Sequence, residues 1–99
     1  MTHWASRAAD LDSGTFRYYR IRVALDAEEL RMVDDVARVV YHLHPTFRHP
    51  NRESRDRSSA FDLRTAGWGE FNMTAEVYSK GNAAPLVIER YINFLPPAA

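Results

Sequence analysis

The chain has 99 residues, 45% apolar and 26% charged, which is the composition of one ordinary globular domain and excludes wholesale disorder. Thirteen basic side chains balance thirteen acidic ones, so the formal net charge is zero, and a domain held to nucleic acid by charge alone is not expected. Cysteine is absent, which removes disulfides, thiol nucleophiles, zinc ribbons and iron–sulfur clusters.

No apolar run approaches membrane-spanning length, and the N-terminus lacks the apolar core of a signal peptide. Direct membrane insertion is therefore not expected, and the default location is the cytoplasm. Residues 1–14 are polar and end in Asp12-Ser13-Gly14, so they read as a loose leader. The domain proper is expected over residues 15–95, with 96–99 as a C-terminal tail.

From Thr15 the pattern changes. Tyr19, Ile21, Val23 and Leu25 alternate with Arg20 and Arg22, the period of a half-buried strand. Asp26 with Glu29 three residues later is a capping-box start, which predicts a helical turn near residues 27–32. Val39, Tyr41 and Leu43 alternate in a β-branched and aromatic run, which predicts a strand near 36–44. Pro45 and Pro50 end it. Residues 46–59 carry Pro, Asn, Ser and mixed charge and read as a long surface loop, a length usually kept for function.

Residues 60–64 alternate again, with Phe61 and Leu63 inward, and 65–69 read as a turn. Phe71, Met73, Ala75 and Val77 line one face of the next strand, Lys80-Gly81-Asn82 is a turn, and residues 85–95 close the chain as a further strand. Several short strands with little helix predict an all-β sandwich. Five strands are clear where such a sandwich needs about seven, so one or two edge strands must hide in the leader or the long loop.

Three constellations invite chemistry. His42 and His44 form a His-x-His pair with His49 nearby, but no third ligand or supporting shell is evident, so no metal is assigned. No Gly-x-Ser-x-Gly elbow or phosphate-cradling glycine motif occurs, so the chain does not read as an enzyme, and no cofactor is expected. Arg48, Arg52, Arg55 and Arg57 are diluted by Glu53 and Asp56 and read as a solvated loop.

The aromatics say more. Phe47 follows Pro45 and Thr46, and Trp68 stands between Gly67 and Gly69. Either ring alone reads as core. Together, each at a strand end and one beside a hydroxyl, they suggest a slot for a flat or slender group.

The run Val40-Tyr41-His42-Leu43-His44-Pro45-Thr46-Phe47-Arg48-His49-Pro50 resembles the signature of the YEATS domain family, Leu-His-x-Ser/Thr-Phe-x-x-Pro after an apolar strand. Gly67-Trp68-Gly69-Glu70-Phe71 resembles the family's second motif, and Tyr91-Ile92-Asn93-Phe94 is loosely similar to its last strand. The short form, the arginine-rich composition and Pro45 look like prokaryotic members, which are often fused to signalling or membrane modules. The resemblance covers residues 16–95 and implies an immunoglobulin-like β-sandwich that reads acetylated or longer-acylated lysine without catalysis. It implies that Phe47 and Trp68 sandwich the acyl-amide and that the Thr46 hydroxyl bonds it. Backbone N–H groups around Trp68 and Gly69 would receive the carbonyl, with Gly67 in the same turn and His44 as buttress or lining. One of Phe16, Tyr18 and Tyr19 would supply a further wall. Eukaryotic members begin with an additional strand that this N-terminus does not clearly supply. The partner would be an acylated-lysine peptide or protein. The alternative is a protein–protein interaction or signalling sensor domain that binds no acyl-lysine.

Overall fold

The computed structural model describes residues 1–33, 35–81 and 84–94. Among them are seven strands, β1 (Thr2–Arg7), β2 (Tyr19–Ala24), β3 (Val36–His42), β4 (Asn51–Ser54), β5 (Leu63–Gly67), β6 (Phe71–Ser79) and β7 (Leu86–Ile92). One helix, α1 (Ala27–Met32), links β2 to β3. The strands pair antiparallel in two sheets, ordered β1-β2-β5 and β4-β3-β6-β7. Among the described residues, no helix is long and apolar enough to cross a membrane.

The alternation read from the sequence becomes the core. Ile21, Val23 and Leu63 of one sheet face Val39, Tyr41, Met73, Val77 and Ile92 of the other. Removing a side chain of this size from water contributes about 1.5–3 kcal/mol. The buried Tyr41 hydroxyl donates to the Phe61 carbonyl at 2.6 Å. Burial raises its pKa, so it stays a neutral donor.

The capping box is present. Asp26 accepts from the Glu29 amide at 2.9 Å, and Glu29 accepts from the Asp26 amide at 3.0 Å. The helix stops at Val33, whose backbone is extended, and β3 begins at Val36 as the β-branched run predicts.

Three expectations change. The leader is not loose, because residues 2–7 form β1, paired along its length with β2, and 9–11 make a 3-10 turn. As an edge strand with a solvated outer face, β1 is held by ladder hydrogen bonds and needs little apolar alternation. The long loop likewise contains β4, paired with β3. The strand expected at 60–64 runs instead over Leu63–Gly67, taking in the first three residues of the turn expected at 65–69, because Ala60 and Phe61 both adopt a left-handed backbone with φ of 56°. Phe61 is buried nonetheless. Of the final turn and strand, Asn82 and Leu95 lie outside the described residues, as does the tail at 96–99.

Side chains close both open sides of the sandwich. The Arg52 guanidinium donates to the Thr65 hydroxyl at 3.2 Å, tying β4 to β5. Arg90 on β7 donates from Nε to His3 Nδ1 at 2.6 Å, which leaves His3 Nε2 to donate to the Asn93 carbonyl at 3.1 Å.

On the outer face, His42 of β3 bridges Asn51 of β4 at 2.7 Å and Glu76 of β6. The Asn51 hydrogen bond, then that to Glu76, raises the His42 pKa from its ordinary 6.5. The His42 bond holds Glu76 below its ordinary 4.5, with Tyr78 adding to it. A raised histidine stabilises the fold fully below its unfolded value and loses that contribution as pH climbs through the folded one. A lowered carboxylate contributes above its unfolded value and loses that as pH falls through the folded one. The pair therefore supports the sandwich fully between the two ordinary values, 4.5 for Glu76 and 6.5 for His42. The denaturation midpoint of the wild type is expected to fall as pH rises through the raised His42 value, and His42→Gln is expected to flatten that slope. An unchanged slope in the variant would contradict this assignment.

Candidate functional site

The loop between β3 and β4 is closed at its base by the Leu43 amide donating to the Pro50 carbonyl at 2.7 Å. Inside it, the Phe47 amide donates to the His44 carbonyl at 3.0 Å, a turn that turns Thr46 and Phe47 back over the sandwich edge. The Thr46 amide donates to His44 Nδ1 at 3.3 Å, and the Thr46 hydroxyl lies 2.9 Å from the same nitrogen. Nδ1 must then carry a lone pair, so the hydroxyl donates as well and keeps its oxygen lone pairs free.

Phe47 is half-buried. Its ring meets Phe71 edge-on at 5.0 Å and lies against Gly67, where an added Cβ would stand 3.1 Å from its Cζ. Trp68 follows in the turn from β5 to β6 and is 48% exposed. Phe16 packs on it with ring centres 4.6 Å apart. The two segments enclose a slot of about 390 Å³. Among the described residues, neither the Trp68 nor the Gly69 amide is engaged in a hydrogen bond.

All six residues expected from the sequence, His44, Thr46, Phe47, Gly67, Trp68 and Gly69, line this one slot. Of the three candidate wall aromatics, Tyr18 lines it, Phe16 covers Trp68, and Tyr19 stacks on Phe94 at 4.3 Å instead. The histidines do not converge: His42 serves Asn51 and Glu76, and among the described residues no group of three metal-binding side chains forms.

Sequence reasoning passed over Arg48 and Glu70 as slot residues, and both line it. Arg48 has no ion-pair partner among the described residues. Glu70 is committed, accepting from the Phe94 amide at 2.8 Å and from the Tyr91 hydroxyl at 3.2 Å. It ties the Trp68 turn to the end of β7. Burial, with the bond to Glu70, raises the Tyr91 pKa. Glu70 stands in the second motif, but nothing local in the sequence signals a partner more than twenty residues away.

Compared with known proteins, residues 19–93 match the family described as the prokaryotic YEATS domain. The chain belongs to that family. Its YEATS domain is 39% identical over 59 residues to Something about silencing protein 5 of Saccharomyces cerevisiae, a match covering 60% of this chain and 23% of that protein. It is 37% identical over 59 residues to transcription initiation factor TFIID subunit 14 of Schizosaccharomyces pombe, covering 60% of this chain and 24% of that one. The matched stretch thus spans about a quarter of these relatives. Among solved structures, the Yaf9 YEATS domain recognizing an H3K122suc peptide superposes with a TM-score of 0.66 at 22% identity, covering 93% of this chain and 68% of that one. The crystal structure of the yeast AF-9 homolog Yaf9 gives 0.65 at 22%, covering 95% and 64%. At that identity the likeness establishes the fold, and the expected immunoglobulin-like β-sandwich is the one observed.

The Phe47 contact makes Gly67 a sensitive position in this YEATS domain. Gly67→Ala is expected to push the Phe47 ring outward and lower stability by about 1 kcal/mol, as overpacking does. Denaturant unfolding and the Phe47 ring resonances check this; unmoved ring shifts would show that residue 67 does not seat the aromatic.

Proposed function

We propose that this domain is a non-enzymatic reader of acylated lysine, or of a similar flat acyl-amide, held between Phe47 and Trp68. The observation that carries the reading is that both rings line one slot with the Thr46 hydroxyl and the unengaged Trp68 and Gly69 amides. Exposure of Trp68 favours this over an interaction domain in which the aromatics only pack.

The chemistry fits the parts. Acylation removes the lysine charge and leaves a planar amide with an apolar tail. Aromatic faces stack on such a group. With its proton committed to His44, the Thr46 oxygen is an acceptor for the acyl-amide N–H. The Trp68 and Gly69 amides are donors for the acyl carbonyl. In this reading His44 is a positioning residue that fixes the direction of the Thr46 hydrogen bond.

An unmodified ammonium would lose hydration on entering an aromatic slot. Glu70 is the acidic side chain in the lining, and its oxygens already serve Phe94 and Tyr91. The partner would be an acylated peptide or protein, bound with micromolar affinity or weaker through a single residue, on the order of 10⁻⁶ M at best. This domain would then act as a recognition module within a larger protein.

NMR titration with acetyl-lysine and crotonyl-lysine peptides tests the reading, with unmodified lysine as control. Saturable shifts are expected only with the acyl group. Thr46→Ala is expected to weaken binding about fivefold to tenfold, the worth of one hydrogen bond, and Trp68→Ala at least as much. Equal binding of unmodified lysine, lost in Glu70→Gln, would replace the acyl reading with a carboxylate site.

A further inference from the structure

The outer face of the three-stranded sheet carries a cross-strand row that the sandwich does not need. Trp4 of β1 pairs in register with Arg22 of β2, and Arg22 pairs with Arg64 of β5. The Arg22 guanidinium lies 4.6 Å from the Trp4 ring centre. Two arginines directly opposite each other repel, so the row is costly unless something offsets it. Asp62 does so by a narrow means. Its Oδ2 accepts from Nε of Arg22 and from Nε of Arg64, each at 3.0 Å.

Arg22 is held further by its Nη2, which donates to the Ser59 carbonyl at 3.5 Å, whereas Arg64 is held by Nε alone. The terminal amino groups of Arg64 have no acceptor among the described residues, and its side chain is 76% exposed. Arg20, in the next row, is instead closed off by Asp10 in a two-point pair at 3.1 and 2.6 Å. The result is a shelf with an indole at one edge and an unspent guanidinium fork at the other.

The shelf is continuous with the slot. Ala66, a small side chain, lines both. We propose that this shelf receives the polypeptide adjoining the acylated lysine and selects acidic residues in it. The proposal rests on the reader function and deepens it by naming the sequence surroundings of the ligand. Arg64 lies two positions along β5 from Ala66, about 7 Å away. An extended peptide therefore meets Arg64 with a residue about two to four positions from the modified lysine. An Asp or Glu there accepts two parallel N–H bonds from the free fork of Arg64. A Lys or Arg there meets like charge.

The test uses three ligands: an acetyl-lysine peptide with Asp or Glu near the lysine, the same peptide with Asn or Gln in their place, and a capped acetyl-lysine amide. Each is titrated into wild type, Arg64→Gln and Arg64→Glu, with thermal unfolding confirming that both variants fold. The acidic peptide is expected to bind about threefold to tenfold more tightly than the neutral one, as a partly exposed ion pair allows. That advantage is expected to shrink at roughly 0.5 M salt and to vanish in Arg64→Glu, while the capped amide binds wild type and variants alike. Equal affinity for the two peptides in wild type, or an advantage that survives Arg64→Glu, overturns the shelf and leaves the reader standing. If even the capped amide fails to bind, the reader function falls and the shelf's role with it.

Discussion

The ring of Phe47 occupies the space that a side chain at residue 67 would take, and the geometry of the slot follows from that contact. Because Gly67 has no Cβ, the β3–β4 loop can settle onto the end of β5. Phe47 is then held from two sides, by the strand backbone beneath it and by the edge of Phe71. With Phe47 seated, Thr46 and His44 are carried to the slot rim. Trp68, next in chain to Gly67, is brought opposite by the turn that follows β5. One missing methyl thus sets the spacing between two loops far apart in sequence.

The sandwich supplies rigidity behind the slot. β3 delivers the first loop and is buried at Val39 and Tyr41, while the Tyr41 hydroxyl anchors the left-handed turn at Ala60 and Phe61 that leads into β5. Glu70 then ties the Trp68 turn to the end of β7. Near the slot, Glu70 and the Thr46 hydroxyl proton are committed, while the Trp68 and Gly69 amides have no hydrogen-bond partner among the described residues. Those open groups are the ones a neutral, flat, hydrogen-bonding ligand would use.

Much of this was legible in the sequence because the physics involved is local. Strand β6 shows the alternation of Phe71, Met73, Ala75 and Val77, and the helix start shows Asp26 and Glu29, so periodicity and capping suffice for both. The two loop motifs fall on one slot. What escaped depends on partners distant in the chain. Strand β1 has almost no apolar alternation, since its stability comes from pairing with β2 and from Arg90 reaching His3. The start of β5 was misplaced because two left-handed residues carry no glycine to announce them. Tyr18, Tyr19 and Phe16 are near neighbours with similar rings, and only the partners Phe94 and Trp68, distant in the chain, draw Tyr19 and Phe16 aside and leave Tyr18 to line the slot.

The most direct test of the account is a set of intermolecular NOEs from a ¹³C-labelled acetyl methyl on a lysine peptide bound to the domain. The account predicts contacts from that methyl or its neighbouring amide to the ring protons of both Phe47 and Trp68. A bound peptide whose acetyl group shows contacts to neither ring, with Trp4 contacted instead, would contradict it.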